Sequence, residues 1–158
     1  MTSHQKPAAA GLRSTAKQPR TIAVFGAGGH TARFVVEELL KRGWTPILSG
    51  RDATTLNARW DGYGKLETRV ASVEDPASLD RALAGAVAVI NCAGPFLDTA
   101  APVIEAALRA GIHYLDLAAE QTSVLATFEH YAEPARAAGV VVVPAMVFYG
   151  GLSDLLAT

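Results

Sequence analysis

Short apolar runs alternate along this chain with stretches in which apolar positions recur every three or four residues. The first run, Ile22 to Phe25, enters a glycine cluster, Gly26-Ala27-Gly28-Gly29-His30-Thr31. A helical pattern follows over Phe34-Val35-Val36-Glu37-Glu38-Leu39-Leu40. Lys41-Arg42-Gly43 stops that helix with a basic last turn and a glycine. Thr45 to Ser49 predicts a second strand, and Asp52 caps a second helix running to about Arg59. Beyond a loop marked by Gly62 and Gly64, Lys65 to Ala71 alternates as a third strand. Asp75-Pro76 opens a third helix, Pro76 to Ala84, with proline where its missing donor costs nothing. Ala86 to Asn91 is nearly all apolar, as a strand covered on both faces should be. After Gly94-Pro95 a fourth helix, capped by Asp98 or Thr99, runs to near Gly111. Ile112 to Leu117 predicts a fifth strand, and Gln121 to Ala138 a long helix that Pro134 kinks or splits. Val140 to Val143 predicts a sixth and most apolar strand.

Strands and helices in strict alternation with short connections require right-handed crossovers and a parallel sheet. The expected fold is α/β, a doubly wound parallel six-stranded sheet of the Rossmann type, in the order 3-2-1-4-5-6. Leu152 to Thr158 reads as a helix just beginning, which suggests that more chain normally follows. A short helix docked on the sheet is the alternative.

Composition narrows this picture. With 158 residues, half of them hydrophobic and 18% charged, the chain fits one soluble domain with a proper core. The net charge of −1 gives no reason to expect nucleic acid. Residues 1–20 hold Lys6, Arg13, Lys17 and Arg20 and no acid. We expect a disordered basic tail there, lacking the apolar core of a secretory signal, and one domain over 21–158. A transit-like role for the tail is the alternative. The single cysteine, Cys92, excludes an internal disulfide and points to a reducing cytoplasm. No run reaches the roughly 18–20 apolar residues that span a bilayer. The run Gly139 to Phe148 reads as a buried strand.

In doubly wound sheets a ligand lies over the C-terminal ends of the strands. At the first end, Gly26 permits a sharp turn, while Gly28 and Gly29 let backbone N–H groups approach a pyrophosphate closely. The helix that follows offers unpaired donors and partial positive charge. Gly26 and Gly28 fit Gly-x-Gly-x-x-Gly only in part, because position 31 is Thr. Gly26, Gly29 and Ala32 fit Gly-x-x-Gly-x-x-Gly/Ala fully. A tight turn without a ligand is the competing reading. The second strand ends in Ser49-Gly50-Arg51, with Arg51 25 positions beyond Gly26. No acid stands at that tip for a ribose diol, whereas a hydroxyl and a guanidinium match a 2′-phosphate, which favours NADP over NAD. Asp52 reads as a helix cap, and Arg51 as a solvated charge if no nucleotide binds.

Ser72 and Val73, after the third strand, would flank an adenine by position alone. At the fourth end, Cys92-Ala93-Gly94-Pro95-Phe96 is small enough for the backbone to pass close to the cofactor. Cys92 fits a buried small hydrophobe better than a nucleophile. Asp116 and Glu120 are candidate polar groups on the nicotinamide side, or else cap and loop acceptors. His30 lies in the glycine loop, where it would cover the cofactor, and His113 reads as packed on its strand. His4 and His130 read as tail and helix-surface residues. No spacing fits a metal site.

These residues together resemble the NADP-binding domain of the saccharopine dehydrogenase-like family, which includes saccharopine reductases and trans-acting enoyl reductases. The matching stretches are Gly26 to Leu40, Ser49-Gly50-Arg51-Asp52, Asp75-Pro76-Ala77-Ser78-Leu79, Asn91-Cys92-Ala93-Gly94-Pro95-Phe96 and His113-Tyr114-Leu115-Asp116-Leu117. Further matches are Pro102-Val103, Glu105-Ala106-Ala107, Ala135 to Val140 and Ser153-Asp154-Leu155. The resemblance implies that the glycine loop, Ser49, Arg51 and the turn from Cys92 to Phe96 contact NADP. It also implies a C-terminal substrate-binding domain, absent here. Ala118-Ala119-Glu120 stands where the family usually has Thr-Gly-Glu, and Ala100 where a glycine is common. Val147-Phe148-Tyr149 replaces its Gly-Phe-Asp turn, and Leu152 its proline.

The expected function is therefore the cofactor domain of an NADP-dependent oxidoreductase, transferring a hydride between NADP(H) and a carbonyl, imine or enoyl substrate. Its catalytic residues remain unassigned within this chain. Alternatives are a stand-alone NADP-binding or redox-sensing module, and an interaction module that has lost the nucleotide. Expected partners are NADP(H), a small-molecule substrate held by a second domain, and another copy of the chain. Neither nucleic acid nor a membrane is expected.

Overall fold

The computed structural model describes residues 20–147 and residue 156. The expected basic tail and the expected helix beginning at Leu152 fall outside the described residues, apart from Arg20 and Leu156. In chain order the elements are β1 (Thr21–Phe25), α1 (His30–Lys41), β2 (Thr45–Gly50), α2 (Ala53–Trp60), β3 (Glu67–Val70) and α3 (Pro76–Leu83). Then come β4 (Ala88–Asn91), α4 (Phe96–Ala110), β5 (His113–Asp116), α5 (Gln121–Ala138) and β6 (Val142–Val143). All pairings are parallel and the strand order is β3-β2-β1-β4-β5-β6, as the alternation requires.

Successive side chains leave a strand on opposite faces, so each strand feeds two cores. Ile22, Val24 and Leu48 join Ala32, Val36 and Leu39 of α1 and Leu56 and Trp60 of α2. Ala23, Phe25, Ile47 and Val89 meet Leu79 and Leu83 of α3 and Val103 and Ile104 of α4, with Tyr131 of α5 packed alongside. Each fully buried aliphatic side chain contributes roughly 1.5–3 kcal/mol. These two layers hold the central strands, and with them their C-terminal ends.

Four expectations need correction. The third strand is only Glu67–Val70, mostly exposed at the sheet edge, because just one neighbour orders it. Its Arg69 donates to the Arg81, Ala82 and Ala84 carbonyls, so a strand side chain caps the C-terminus of α3. The sixth strand is also a sheet edge, only two residues long and half-buried rather than buried, and Val141 beside it is 55% exposed. The fourth helix begins at Phe96, ahead of Asp98 and Thr99, and neither caps it. Glu120 reaches across to accept from the Phe96 N–H, and the Thr99 hydroxyl turns back to Ala93 O. Finally, α5 runs unbroken through Pro134. Pro134 and His130 are both exposed, so the carbonyl that the proline leaves unpaired lies on the solvent-facing side of the helix.

Among the described residues, no helix is long and apolar enough to cross a membrane.

Asp52 and Asp75 cap α2 and α3 as expected, and Asp75 Oδ1 accepts from Ser78 N at 3.2 Å. Asp75→Ala should lower stability by about 1 kcal/mol in urea denaturation, and Asp75→Asn, which keeps the acceptor, should lie close to the parent. An equal loss in both would shift the credit to the exposed Arg81 pair at 3.6 Å.

Candidate functional site

The sheet register sets out the site. Ser49, Phe25, Asn91 and Asp116 form one rung across β2, β1, β4 and β5. Just beyond that rung the chain leaves β1 for α1 on one face and β4 for α4 on the other, which opens a crevice between them.

Gly26 turns at φ +79, and a Cβ there would stand 2.7 Å from Ala93 N and 2.8 Å from Ala93 Cα. Only glycine allows the two loops to lie this close. The neighbouring residue is fixed at both ends of its peptide groups: Ala27 N donates to Ser49 O, and Ala27 O accepts from Trp60 Nε1, each at 2.9 Å. Gly29 N returns to Gly26 O. Gly28 N has no partner among the described residues, and a Cβ on Gly28 would meet Thr55 Cγ2 at 3.1 Å. His30 and Thr31 are the first two residues of α1, both exposed, with the His30 ring edge-on to Phe34. No side chain caps α1 and no acid lies in its first turn. Its N-terminal donors and partial positive charge are left for an anion.

At the tip of β2, Ser49 points to the same face as Ile47. It is fully buried, and its Oγ has no partner. Gly50 is buried against Leu56, while Arg51 is exposed. The adjacent Asp52 is turned to its own helix. Its carboxylate accepts from Thr54 N, Thr55 N and the Thr55 hydroxyl, at 2.7, 3.3 and 2.9 Å. The Thr55 hydroxyl bond, followed by the backbone bonds, holds its pKa below the usual carboxylate range. Ser72 and Val73 follow β3; Ser72 N donates to Ser78 Oγ, and Val73 packs against the α3–α4 core.

Across the crevice, the turn from Cys92 to Phe96 contains a cis Gly94–Pro95 bond. Gly94 and Pro95 are exposed, Cys92 and Ala93 half-buried and Phe96 buried. Burial pushes the Cys92 thiol up to about 12, so it is a thiol rather than a thiolate at neutral pH. Beside this turn lies a cleft of about 480 Å³. Thr31, Phe34 and Val35 line it from α1, Cys92, Gly94 and Phe96 from the turn, and Leu117, Met146 and Val147 from the segments after β5 and β6. A second cavity, of about 400 Å³, lies between α3 and α4 around Asp80 and Arg109 and includes none of the predicted site residues.

Asp116 and Glu120 act as acceptors for the chain itself. Asp116 is buried and takes N–H groups from Ala118 and Ala145. Glu120 takes those of Phe96 and Ala119. Burial works to raise the Glu120 pKa, but the backbone bonds outweigh it and the result is lowered. His113 is exposed rather than packed, and its Nδ1 accepts from Val141 N. Among the described residues no group of His, Cys, Asp and Glu is arranged to hold a metal.

A crevice with glycine-only clearance, an unclaimed helix N-terminus and an exposed arginine beside a diverted acid fits a dinucleotide carrying a 2′-phosphate. The model of the saccharopine dehydrogenase NADP binding domain matches residues 22–143. The chain belongs to that family. NADP is accordingly its cofactor. Among curated relatives, a saccharopine dehydrogenase-like oxidoreductase of Bos taurus is 29% identical over 160 residues, covering 90% of this chain and 37% of the relative. A trans-acting enoyl reductase of Mycobacterium ulcerans is 28% identical over 148 residues, covering 90% and 35%. This NADP-binding domain thus spans little more than a third of the relatives it matches. Among solved structures, apo saccharopine dehydrogenase (L-Glu forming) of Saccharomyces cerevisiae shares the fold. The TM-score is 0.73 at 19% identity, over 87% of this chain and 29% of that one.

Several residues that shape the region of the site have no role assigned from the sequence. Trp60, the last residue of α2, reads as an ordinary core position, yet its indole N–H holds the glycine loop. Asn91, Thr99 and Tyr114 are joined by hydrogen bonds behind the Cys92–Phe96 turn. A polar residue at each of two buried strand positions was the available signal.

Gly26→Ala should cost at least about 2 kcal/mol in urea denaturation, combining left-handed strain with the clash. Gly62→Ala, at φ +86 with nothing within 4 Å, should show the conformational part alone, about 1 kcal/mol. Cys92 labelling by a disulfide reagent at pH 8 should run at least about a hundredfold slower in the folded chain than in urea. Comparable rates would mean an accessible, low-pKa thiol.

Proposed function

We propose that this domain is the cofactor half of an oxidoreductase that moves a hydride between NADP(H) and a carbonyl, imine or enoyl group. The substrate would be held by a further part of the polypeptide. The observation that carries the proposal is the tip of β2: Arg51 is exposed at the position that reads the adenosine ribose, while Asp52 spends its carboxylate on α2. A 2′-phosphate placed there meets a cation and no competing acid. The names of the two relatives, an oxidoreductase and an enoyl reductase, support hydride chemistry for the longer protein.

When bound, NADPH supplies the hydride. This chain's residues do the binding and the orienting. The α1 N-terminus and the Gly28 N–H would hold the pyrophosphate. Arg51, and at the edge Ser72 and Val73, would hold the adenosine end, while Ser49, fully buried, has no surface to offer it. The turn from Cys92 to Phe96, with His30 and Thr31 opposite, would border the rest. The apolar cleft lined by Phe34, Phe96, Leu117 and Met146 keeps bulk water off a flat ring. A reducing compartment belongs to the same proposal and rests on the lone cysteine.

Calorimetric titration tests it. NADPH should bind at least about tenfold more tightly than NADH, and Arg51→Ala should weaken NADPH about ten- to a hundredfold while leaving NADH nearly unchanged. Equal affinity for both nucleotides, or an Arg51→Ala variant that keeps the preference, would overturn the assignment of the β2 tip.

A further inference from the structure

Behind the cleft runs a chain of four buried polar side chains that the binding site does not itself use. The Tyr114 hydroxyl donates to Asp116 Oδ2 at 2.8 Å and accepts from Asn91 Nδ2 at 3.3 Å. Asn91 Nδ2 also donates to Thr99 Oγ1 at 3.3 Å. Three of the four are completely buried and Thr99 is 8% exposed. Burying such groups is costly unless every one is paired, and each of these is.

The two ends of the chain act on backbone. At one end, Ala93 is gripped on both sides: its N–H donates to Asn91 Oδ1 at 3.0 Å, and its carbonyl accepts from the Thr99 hydroxyl. Ala93 is the residue against which Gly26 has no room for a side chain. At the other end, Asp116 Oδ1 accepts from Ala145 N at 2.7 Å, and Asp116 O accepts from Met146 N at 2.8 Å. Ala145 sits at φ +64, a left-handed conformation that costs an alanine roughly 1–2 kcal/mol. The Asp116 bonds hold it there. Met146 and Val147, directly after it, form one wall of the cleft, and Cys92 and Gly94, flanking Ala93, form another. A single hydrogen-bonded chain therefore ties two walls of the cleft to each other through β4 and β5.

We propose that Asn91, Thr99, Tyr114 and Asp116 are positioning residues that set the separation of these walls, and so govern binding of the nicotinamide end of NADP(H) but not its adenosine end. This rests on the cofactor reading above. The adenosine end depends on the tip of β2, two strands away from β4, and no bond of the network reaches it. The network touches the cofactor only through the backbone it holds.

The test uses the whole 158-residue chain. Two probes are titrated calorimetrically: NADPH, and adenosine 2′,5′-bisphosphate, which has the adenosine end alone. The variants are Thr99→Val, which keeps the shape and loses the hydroxyl, Thr99→Ser, which keeps the hydroxyl, and Tyr114→Phe. Thr99→Val and Tyr114→Phe should weaken NADPH about tenfold and leave the bisphosphate within about twofold, while Thr99→Ser behaves as the parent. A purely structural role would weaken both probes together, and an idle network would change neither; either result overturns the proposal. A parent chain that binds neither probe overturns the cofactor reading, and the positioning role falls with it. A parent that binds both, with all variants unchanged, removes the positioning role alone.

Discussion

A side chain on Gly26 would stand 2.7 Å from the Ala93 nitrogen, and most of the site follows from that lack of room. β1 and β4 are hydrogen-bonded neighbours, and Cys92 N reaches back to Phe25 O at 2.8 Å. The two strands therefore end level. Their helices must depart to opposite faces, and the turns between can lie against each other only if one of them lacks a Cβ. Once Gly26 is so placed, Ala27 falls within reach of Ser49 O and Trp60 Nε1, and the loop is braced on its far side. The bracing uses Ala27 and Gly29, leaving Gly28 and the start of α1 facing outward. Clearance on one side and bracing on the other are what turn a tight bend into an anion site.

The fold could be read from the chain because its central strands are covered on both faces. Ile22 to Phe25 and Ala86 to Ile90 are continuous apolar runs for that reason, the first ending at Gly26 and the second following Gly85. Reading weakened where neighbours were fewer. Lys65 to Ala71 alternates well, yet β3 has only β2 beside it and keeps four residues. Val140 to Val143 is as apolar as any stretch, but a sheet edge cannot bury it. The start of α4 departs from expectation because its cap comes from a distant part of the chain. Asp98 and Thr99 are ordinary capping types, and nothing local shows that Glu120 lies across the gap from Phe96.

The site divides along the same line. The features proposed for its adenosine end are local: Ser49-Gly50-Arg51 and the Asp52 cap lie within four consecutive residues. The features proposed for the opposite end are not, because they are contacts between residues far apart in sequence. Asn91 meets Tyr114, and Asp116 meets Ala145. Asp116 and Glu120 were visible as acids near the right place. Only the geometry shows that both are committed to backbone N–H groups, and a committed carboxylate is a poor candidate for proton transfer.

That commitment bears on the chemistry. Reduction of a carbonyl or imine needs a proton as well as a hydride, and a proton donor must lie within hydrogen-bond reach of the reacting group. Among the described residues the cleft offers the Thr31 hydroxyl and the Cys92 thiol, with aliphatic and aromatic groups around them. The thiol, pushed to about 12, holds its proton too tightly to donate well at neutral pH, and a threonine hydroxyl holds its own more tightly still. Tyr114 is displaced further, by burial and then by the charge of Asp116, and points into the network instead of the cleft. A cleft built this way suits a flat apolar ring and a hydride but leaves protonation unprovided. Under the proposed reaction, the donor would come from the longer protein, of which this domain spans about a third in the curated relatives.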